Sequence, residues 1–249
     1  MRLEGRIAVV TGAARGIGRQ IAEHLAAEGA DIVSLDVAAS TDTVAAVTTA
    51  GRRALGIEAD VTSPADLEAA AQRVSAELGD ASIVVNNAGL HPRQTLIDDV
   101  DYDLWRRTMQ VNTDSMFLVT KAFLPQLRAS GIGRIINMSS SVVNVAPLGG
   151  VHYIASKAAV VGLTRGLARE LGPDGITVNA IAPSIVQTPG LAGTGISQEI
   201  VDAVLAQQII QDFTTPSDLV ELVAYLCTHK ARLLTGQHLH FDGGIVLSD

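Results

Sequence analysis

The chain has 249 residues, of which 47% are hydrophobic and only 3% aromatic, and its formal net charge is −8. This acidic balance argues against a surface for nucleic acid, and no apolar run reaches the roughly 20 residues of a membrane span. The opening segment MRLEGRIAVVTG enters a predicted strand without a signal peptide, so we expect a cytoplasmic protein. Without a linker-like run or a repeat, we expect a single domain over residues 1–249.

Short β-branched runs alternate with longer segments of helical period. The predicted strands are 6–11, 31–36, 53–59, 82–87, 134–139, 176–182 and 238–242. The predicted helices are 16–28, 41–50, 64–78, 101–130 (as two helices), 152–171 and 216–228. Ser63-Pro64 and Thr215-Pro216 fit helix starts, with an N-cap followed by proline. Seven strands with helical crossovers predict an α/β fold with a doubly wound parallel sheet and helices on both faces. In such a sheet, ligands bind at the carboxyl ends of the strands.

The segment TGAARGIG (11–18) lies between the first strand and the first helix and contains Gly12, Gly16 and Gly18. Glycines let the backbone turn tightly and approach a pyrophosphate, and the helix N-terminus offers free N–H groups. The spacing is G-x-x-x-G-x-G rather than G-x-G-x-x-G, and such turns also occur for purely steric reasons. The strand–turn–helix context favours dinucleotide binding in a single Rossmann-type domain.

Two charged residues bear on the choice between NAD and NADP. Asp36 ends the second strand, where a carboxylate accepts hydrogen bonds from the adenosine ribose and repels a 2′-phosphate. Arg15 in the glycine loop offers a guanidinium to that phosphate. We expect the carboxylate to dominate, which favours NAD over NADP. Asp60 and Val61 follow the third strand and offer a carboxylate and an N–H to the adenine, while a turn or cap role for Asp60 is equally open.

Tyr153 and Lys157 are four residues apart, which places a phenol and an ammonium on the same face of the predicted helix 152–171. The ordinary pKa of tyrosine is about 10, so a nearby positive charge that stabilises the phenolate is needed for proton transfer at neutral pH. Taken alone, the pair also fits a half-buried tyrosine beside a solvated lysine. The single cysteine, Cys227, lies in an apolar run, which predicts a core residue rather than a nucleophile.

Further motifs follow in a characteristic order: NNAG (86–89), Asn112 and the serine run 139–141. Together with the glycine loop and the Tyr153–Lys157 pair, they make the chain resemble the classical short-chain dehydrogenase/reductase family over essentially its whole length. The interval before Tyr153 identifies Ser140 as the match to the family's catalytic serine. The cofactor-binding residues that the resemblance implies are Gly12, Arg15, Gly16, Ile17, Gly18, Asp36, Asp60, Val61, Asn87, Ala88, Gly89, Tyr153, Lys157, Pro183, Ser184, Val186 and Thr188.

The resemblance also implies a mechanism. Tyr153 exchanges a proton with the substrate oxygen while a hydride passes between the carbon and the nicotinamide, and Ser140 orients that oxygen. Lys157 lowers the pKa of the phenol and binds the nicotinamide ribose, and Asn112 holds a water that links Lys157 to solvent. No metal site is expected, because the six histidines are scattered; for His238 and His240, which alternate on one strand, we expect a structural or subunit-contact role.

The substrate is less well defined by the sequence. The family's variable loop follows the sixth strand and predicts a lid over about 184–213. Ser184 stands where the family usually has glycine, which argues against a backbone with φ > 0 there. His152 is next to Tyr153, but neighbours on a helix point to different faces, so we expect a pocket-wall or solvent role for it. The predicted pocket walls are His91, Pro92, Ser141, Val142, Asn144, Val145, His152 and Leu191.

Within the family, the resemblance is strongest to NAD-dependent dehydrogenases of secondary alcohols such as 1-phenylethanol. It implies a small, hydrophobic or aromatic alcohol or ketone as substrate and a homotetramer formed through helices near 113–130 and 152–171. One alternative is a 3-oxoacyl-carrier-protein reductase, but Gly131 and Asp174 stand where such reductases carry basic residues near the pocket for their acidic carrier. Another is a non-catalytic NAD-binding sensor, which would not need the proton-relay residues.

Overall fold

A computed structural model describes residues 1–187 and 197–247. Its seven strands pair in parallel in one sheet of order β3-β2-β1-β4-β5-β6-β7. The strands are β1 (Ile7–Thr11), β2 (Asp31–Asp36), β3 (Ala54–Glu58), β4 (Ile83–Asn86), β5 (Arg134–Met138), β6 (Thr177–Pro183) and β7 (His238–Phe241). The predicted fold is confirmed, and each predicted strand overlaps an observed one. The strand order reverses between β1 and β4, so a cleft is expected at the carboxyl ends of these two strands.

Helices connect the strands. They are α1 (Gly16–Ala27), α2 (Thr41–Thr49), α3 (Pro64–Glu77), α4 (Tyr102–Met109), α5 (Ser115–Ala129), α6 (Val142–Val145), α7 (Val151–Leu171), α8 (Gln198–Gln207) and α9 (Pro216–Cys227). A π-helical turn, Gln110–Asp114, joins α4 to α5, and short 3-10 turns cover Ile97–Asp99, Gly172–Asp174 and His229–Ala231. The sequence did not predict α6, which is a single turn, or α8, which lies in the variable loop.

The core has two layers because successive strand residues face opposite sides of the sheet. On β1, Val10 faces the layer that includes α1 and α9, whereas Val9 faces the layer that includes α3 and α5. Both valines are fully buried. Strands buried on both faces explain the continuous apolar runs in the sequence. Cys227 belongs to the α1 and α9 layer, where burial raises the pKa of its thiol to about 12, in agreement with a core role.

The predicted helix starts are confirmed in detail. The Ser63 hydroxyl accepts a hydrogen bond from the Asp66 N–H at 3.3 Å, and Pro64 opens α3. At α9, the Asp218 carboxylate accepts a hydrogen bond from the Thr215 N–H at 2.9 Å. Such caps satisfy N–H groups that have no partner within the helix. Over the described part of the chain, none of the helices combines the length and the apolar character that crossing a membrane requires.

Candidate active site

The glycine turn between β1 and α1 is tightly packed. Gly12 and Gly16 have φ of +66° and +60°, a conformation that side-chain-bearing residues rarely adopt. A Cβ added at Gly18 would lie 2.1 Å from the Gly12 carbonyl oxygen and 2.5 Å from the Asn87 Nδ2. That Nδ2 donates hydrogen bonds to the carbonyl oxygens of Thr11 (2.9 Å) and Gly12 (3.2 Å). The turn therefore requires its glycines to bring α1 close to the end of β4.

The start of α1 fits the pyrophosphate of a dinucleotide. Arg15 is the N-cap residue, but its side chain makes no capping hydrogen bond and is exposed. The N–H groups of the first turn are therefore not capped by that side chain, and they carry the partial positive charge of the helix. A Cβ added at Gly16 would meet no atom within 4 Å, so space beside the turn is open. Donors and open space together suit a phosphate group.

Two carboxylates follow the neighbouring strands. Asp36 ends β2 beside the glycine turn, and its oxygens accept hydrogen bonds from the N–H groups of Ala14 (2.9 Å) and Ala38 (3.1 Å). Asp60 instead accepts hydrogen bonds from the N–H (2.8 Å) and the hydroxyl (2.7 Å) of Thr62, which lower the pKa of its carboxyl group. Asp60 is thus a turn residue, while Val61 is buried. Their contact with the adenine stays a prediction.

The NNAG segment ties the central strands together at the cleft. The Thr11 hydroxyl accepts hydrogen bonds from the N–H groups of both Asn87 and Ala88 at 3.0 Å. Asn86 donates to Asn137 on β5 at 2.8 Å. The motif therefore fixes the carboxyl ends of β1, β4 and β5, and Asn87 also lines the cavity described below.

Gly89 brings the backbone close to two predicted catalytic groups. A Cβ added there would lie 3.2 Å from the Asn112 Oδ1 and 3.6 Å from the Lys157 Nζ. Asn112 lies in the π-helical turn, a local widening of the helix that is frequent at functional sites. Its side chain accepts a hydrogen bond from the Leu90 N–H (2.7 Å) and donates to the Leu90 carbonyl (3.0 Å) and the Ser156 hydroxyl (3.0 Å). Asn112 thereby holds the segment after β4 against α7, and its water-binding role stays a prediction.

Ser140, Tyr153 and Lys157 line one cavity at the carboxyl end of the sheet. The Lys157 Nζ donates to the Met138 carbonyl at 2.8 Å and lies 5.9 Å from the centre of the Tyr153 ring. Burial lowers the pKa of Lys157 to about 8 and raises the pKa of Tyr153 to about 12, while hydrogen bonding with Ser140 opposes the rise at Tyr153. The sequence predicted a lowered phenol pKa because spacing reveals the neighbouring charge but not the desolvation.

The cavity has a volume of about 670 Å³ and mainly apolar walls. The predicted cofactor and pocket residues that line it, besides the catalytic group, are Ile17, Asn87, Gly89, His91, Pro92, Ser141, Val142, Val145, His152, Pro183, Ser184 and Val186. The prediction for Asn144 is corrected: its side chain is exposed on α6 and does not line the cavity, because the single turn points it outward. Thr188 and Leu191 lie outside the described residues.

The sequence did not predict several of the residues that line the cavity. They are Leu90, Arg93, Gln94, Met138, Ser139, Pro147, Gly149, Gly150, Ile185, Ile200, Val204, Gln207 and Ile245. Three of them, Ile200, Val204 and Gln207, lie on α8 at the i, i+4 and i+7 spacing of one helix face. This i, i+4, i+7 spacing in the sequence is the signal that would have predicted α8 within the lid. This helix, which lies within the variable loop, supplies one wall of the cavity.

Two histidines flank the catalytic tyrosine. The ring of His91 meets the ring of Tyr153 edge-on, with centroids 4.8 Å apart, and desolvation in the cleft together with the charge of Lys157 lowers the pKa of His91. His152 is only 1% exposed, which excludes the solvent role and leaves the pocket-wall role. Ser184 avoids positive φ as expected, since Ala146 is the one described non-glycine residue with that conformation.

His238 and His240 stack edge-on, with ring centroids 4.6 Å apart. The His238 Nε2 lies 3.2 Å from the Ser139 hydroxyl, which in turn donates to the Lys157 carbonyl at 3.2 Å. Burial, with the charges of His240 and Arg165, lowers the pKa of His238 to about 4. These contacts support the structural role. The residues that the structure describes contain no group of three or more His, Cys, Asp or Glu side chains arranged for a metal ion.

The parallel sheet, the glycine turn and the Ser140–Tyr153–Lys157 cluster define a Rossmann-type oxidoreductase. A family model described as "Enoyl-(Acyl carrier protein) reductase" matches residues 12–246. The chain belongs to the short-chain dehydrogenase/reductase family. As a member, it is an oxidoreductase that binds a nicotinamide cofactor and acts on CH–OH or keto groups of small molecules.

Relatives extend over the whole chain. It is 35% identical to the 3-oxoacyl-(acyl-carrier-protein) reductase of Escherichia coli, over 99% of this chain and 100% of that protein. It is 37% identical to a cis-4-hydroxycyclohexanecarboxylate dehydrogenase of Sinomonas cyclohexanicum, over 96% of each. Among solved structures, carveol dehydrogenase from Mycobacterium avium in complex with NAD superposes with a TM-score of 0.91 at 29% identity, covering 99% of each chain. A Serratia marcescens short-chain dehydrogenase/reductase variant gives 0.90 at 34% identity, covering 98% and 99%.

Proposed function

We propose that this protein is an NAD-dependent oxidoreductase that interconverts a secondary alcohol and its ketone, with a hydrophobic or aromatic substrate. The observation that carries the proposal is the cavity itself: it brings Ser140, Tyr153 and Lys157 together under mainly apolar walls at the carboxyl end of the sheet. A concave apolar site with a few convergent polar groups is the usual form of a small-molecule site.

The side chains account for the proton transfers. In reduction, the Tyr153 hydroxyl donates its proton to the substrate oxygen while Ser140 hydrogen-bonds that oxygen; in oxidation, the tyrosine oxygen takes the proton back. The nicotinamide, when bound, supplies or accepts the hydride. Because burial raises the pKa of Tyr153 to about 12, its hydroxyl stays protonated at neutral pH, as reduction requires. Oxidation requires a lower phenol pKa, and the Lys157 ammonium is the positive charge placed to lower it.

The preference for NAD is argued from Asp36. Its carboxylate ends β2 beside the glycine turn and is fixed there by two backbone N–H groups. A ribose hydroxyl can donate a hydrogen bond to such a group, whereas a 2′-phosphate would be repelled. The glycine turn would hold the pyrophosphate, and Tyr153 and Lys157 would bind the nicotinamide ribose. The NAD-bound carveol dehydrogenase relative supports this assignment by analogy.

A second candidate function is reduction of 3-oxoacyl groups on an acyl carrier protein, which the E. coli relative carries in its name. The sequence-based argument from Gly131 and Asp174 is corrected: both lie at the amino ends of β5 and β6, the edge of the sheet opposite the cavity, so their lack of positive charge does not bear on a carrier at this chain's own pocket. What weighs against this candidate is the formal net charge of −8, which would repel an acidic carrier.

The test is a panel of aryl and aliphatic secondary alcohols, their ketones and 3-oxoacyl carrier substrates, each assayed with NAD(H) and NADP(H) by nicotinamide absorbance. We expect turnover of alcohols and ketones with NAD(H) to exceed turnover with NADP(H). Rapid reduction of acyl-carrier substrates with NADPH, and none with NADH, would establish the second candidate instead.

We also propose a homotetramer formed partly through α5 and α7. Val119 and Phe123 of α5 are fully buried in the core, so they do not contribute to such an interface. Phe117 on α5 is 47% exposed and Ala158 on α7 is also exposed, which leaves an apolar surface for subunit contact. Light scattering at low protein concentration tests this: a mass of about 26 kDa rather than four times that value would exclude it.

A further inference from the structure

The charged side chains around the cavity are all of one sign. Among the described residues that line it, the charged ones are Arg93 and Lys157, and none is Asp or Glu. Residues 188–196 have the sequence TPGLAGTGI and contain no charged side chain. The whole chain has the opposite balance, with 26 acidic residues and 18 basic ones. The cavity therefore carries a local excess of positive charge that a purely hydrocarbon-substituted ketone would not use.

One of these two cations has no part in the proton transfer. Lys157 donates to the Met138 carbonyl and acts on the tyrosine. Arg93 lies in the loop that follows β4, where it is exposed, and within residues 1–187 and 197–247 it forms no ion pair. A guanidinium binds planar anionic groups such as carboxylates with two parallel hydrogen bonds. Arg93 is thus available to an anionic group of a ligand in the cavity.

His91 belongs to the same loop, and its ring lies against the catalytic tyrosine. The His91 and Tyr153 rings meet edge-on with their centroids 4.8 Å apart. His91 is exposed and lines the cavity, so a bound substrate can reach its ring. Desolvation and the charge of Lys157 lower the pKa of His91, so the ring is neutral at neutral pH and offers one N–H donor. A substrate held by Tyr153 therefore lies beside this donor, which is two residues from Arg93.

These groups match a carboxylate. Burying a carboxylate among apolar walls is unfavourable unless it is hydrogen-bonded and paired with a cation. The His91 N–H supplies a hydrogen bond and Arg93 a compensating charge, and no acidic side chain among the described lining residues opposes the anion. The net charge of the whole chain acts mainly on partners at its outer surface, because salt screens exposed charges beyond about 8 Å. Inside the cavity, the nearby cations dominate.

We infer that the loop after β4 binds a carboxylate group of the substrate, with His91 donating a hydrogen bond to it and Arg93 compensating its charge. The substrate class is then a keto acid or hydroxy acid in which an alicyclic or aromatic framework separates the carboxylate from the reacting carbon. This inference rests on the proposed function and refines its substrate.

The kinetic test compares ketones that differ only in this charge. They are 3- and 4-oxocyclohexanecarboxylate and 3- and 4-acetylbenzoate, each assayed with NADH beside its uncharged carboxamide. We expect kcat/KM for at least one acid to exceed that for its amide by about tenfold, and the preference to decline as the salt concentration rises. Arg93→Met should remove the preference, and Arg93→Lys should retain part of it. A preference that Arg93→Met leaves unchanged would contradict the inference.

Two further variants separate recognition of the carboxylate from other effects. His91→Phe keeps an aromatic ring against Tyr153 but removes the donor, so we expect KM to rise more for the acids than for the amides. An equal loss for acids and amides would mean that the ring only positions Tyr153. Arg169→Met removes a positive charge from the last turn of α7, far from Tyr153 in its first turn, and should leave the preference intact.

A binding measurement separates this inference from the proposed function. With Tyr153→Phe and bound NADH, the ketones cannot receive a proton from the tyrosine, so their dissociation constants can be measured by cofactor fluorescence with and without Arg93→Met. We expect an acid to bind about tenfold more tightly than its amide, and only when Arg93 is present. Absence of hydride transfer in the wild type would refute the proposed function alone. Equal or absent binding of acids and amides would refute the carboxylate site.

Discussion

The cofactor side and the substrate side of the cleft are built in different ways. On the cofactor side, backbone geometry sets the site: the glycine turn, the first turn of α1 and the ends of β1 and β2 leave little freedom. On the substrate side, side chains from α6, α7, α8 and the segment after β4 converge from elements far apart in sequence. We therefore expect substitutions on the cofactor side to cause large losses of stability and of cofactor affinity. We expect substitutions on the substrate side to change specificity gradually.

The largest expected effect is at the junction of the two sides. Tyr153→Phe removes the proton donor and should lower turnover by about 10²–10⁴-fold. NADH binding should survive, because Lys157 and the glycine turn still hold the cofactor when the contact of the tyrosine hydroxyl with the ribose is lost. Steady-state kinetics and fluorescence titration of NADH measure the two quantities. Activity that survives the substitution would mean that Tyr153 is not the acid, and wild-type protein that binds NAD without any turnover would indicate a sensor.

The next effect tests the rigidity of the cofactor side. Gly18→Ala places a Cβ 2.1 Å from the Gly12 carbonyl oxygen, so the turn must move. We expect a loss of about 2–3 kcal/mol in the free energy of unfolding and at least a tenfold weaker affinity for NADH. Urea unfolding and NADH titration provide the measurements. Gly166→Ala is the matched control, because its Cβ would meet no atom within 4 Å and alanine favours an exposed helix by about 0.5–1 kcal/mol.

The same difference explains what the sequence could predict. All seven strands were found because buried parallel strands are continuous apolar runs, and the glycine turn and the Tyr153–Lys157 pair were found because their function depends on local spacing. Val204 and the rest of α8 were missed because the variable loop was interpreted only as a lid, with no helix assigned within it. The burial of His152 depends on residues remote in sequence, so helix geometry alone suggested only that it points away from Tyr153.

Cofactor choice is a smaller, graded effect on the cofactor side. Asp36→Asn keeps an acceptor for only one of the two N–H groups, those of Ala14 and Ala38, that bond its two carboxylate oxygens, and it removes the charge that would repel a 2′-phosphate. We expect the ratio of kcat/KM for NADPH to that for NADH to rise by about 10–100-fold. Asp80→Asn, an equal charge change at an exposed residue before β4, is the control. An unchanged ratio would show that Asp36 does not face the ribose.

The smallest effect concerns stability where the two sides meet. Burial lowers the pKa of Lys157 from 10.5 to about 8, so its charge opposes folding at neutral pH. Between these two values the unfolded chain binds more protons than the folded one, and this contribution to stability therefore rises with pH. Lys157→Met should increase the free energy of unfolding at pH 7 by about 1–2 kcal/mol, since the hydrogen bond to the Met138 carbonyl offsets part of the gain, and the increase should decline as the pH approaches 10.5.

Urea unfolding of wild type and Lys157→Met at pH 7 and pH 10 measures this difference, with turnover recorded in parallel. Activity should fall with Lys157→Met although the fold becomes more stable, because the ammonium that stabilises the phenolate is lost. Lys121→Met, on the exposed surface of α5, should change neither the stability nor its pH dependence by a comparable amount. A stability gain that is the same at both pH values would mean that methionine packs better there. The gain in stability would then not come from the removal of the buried Lys157 charge.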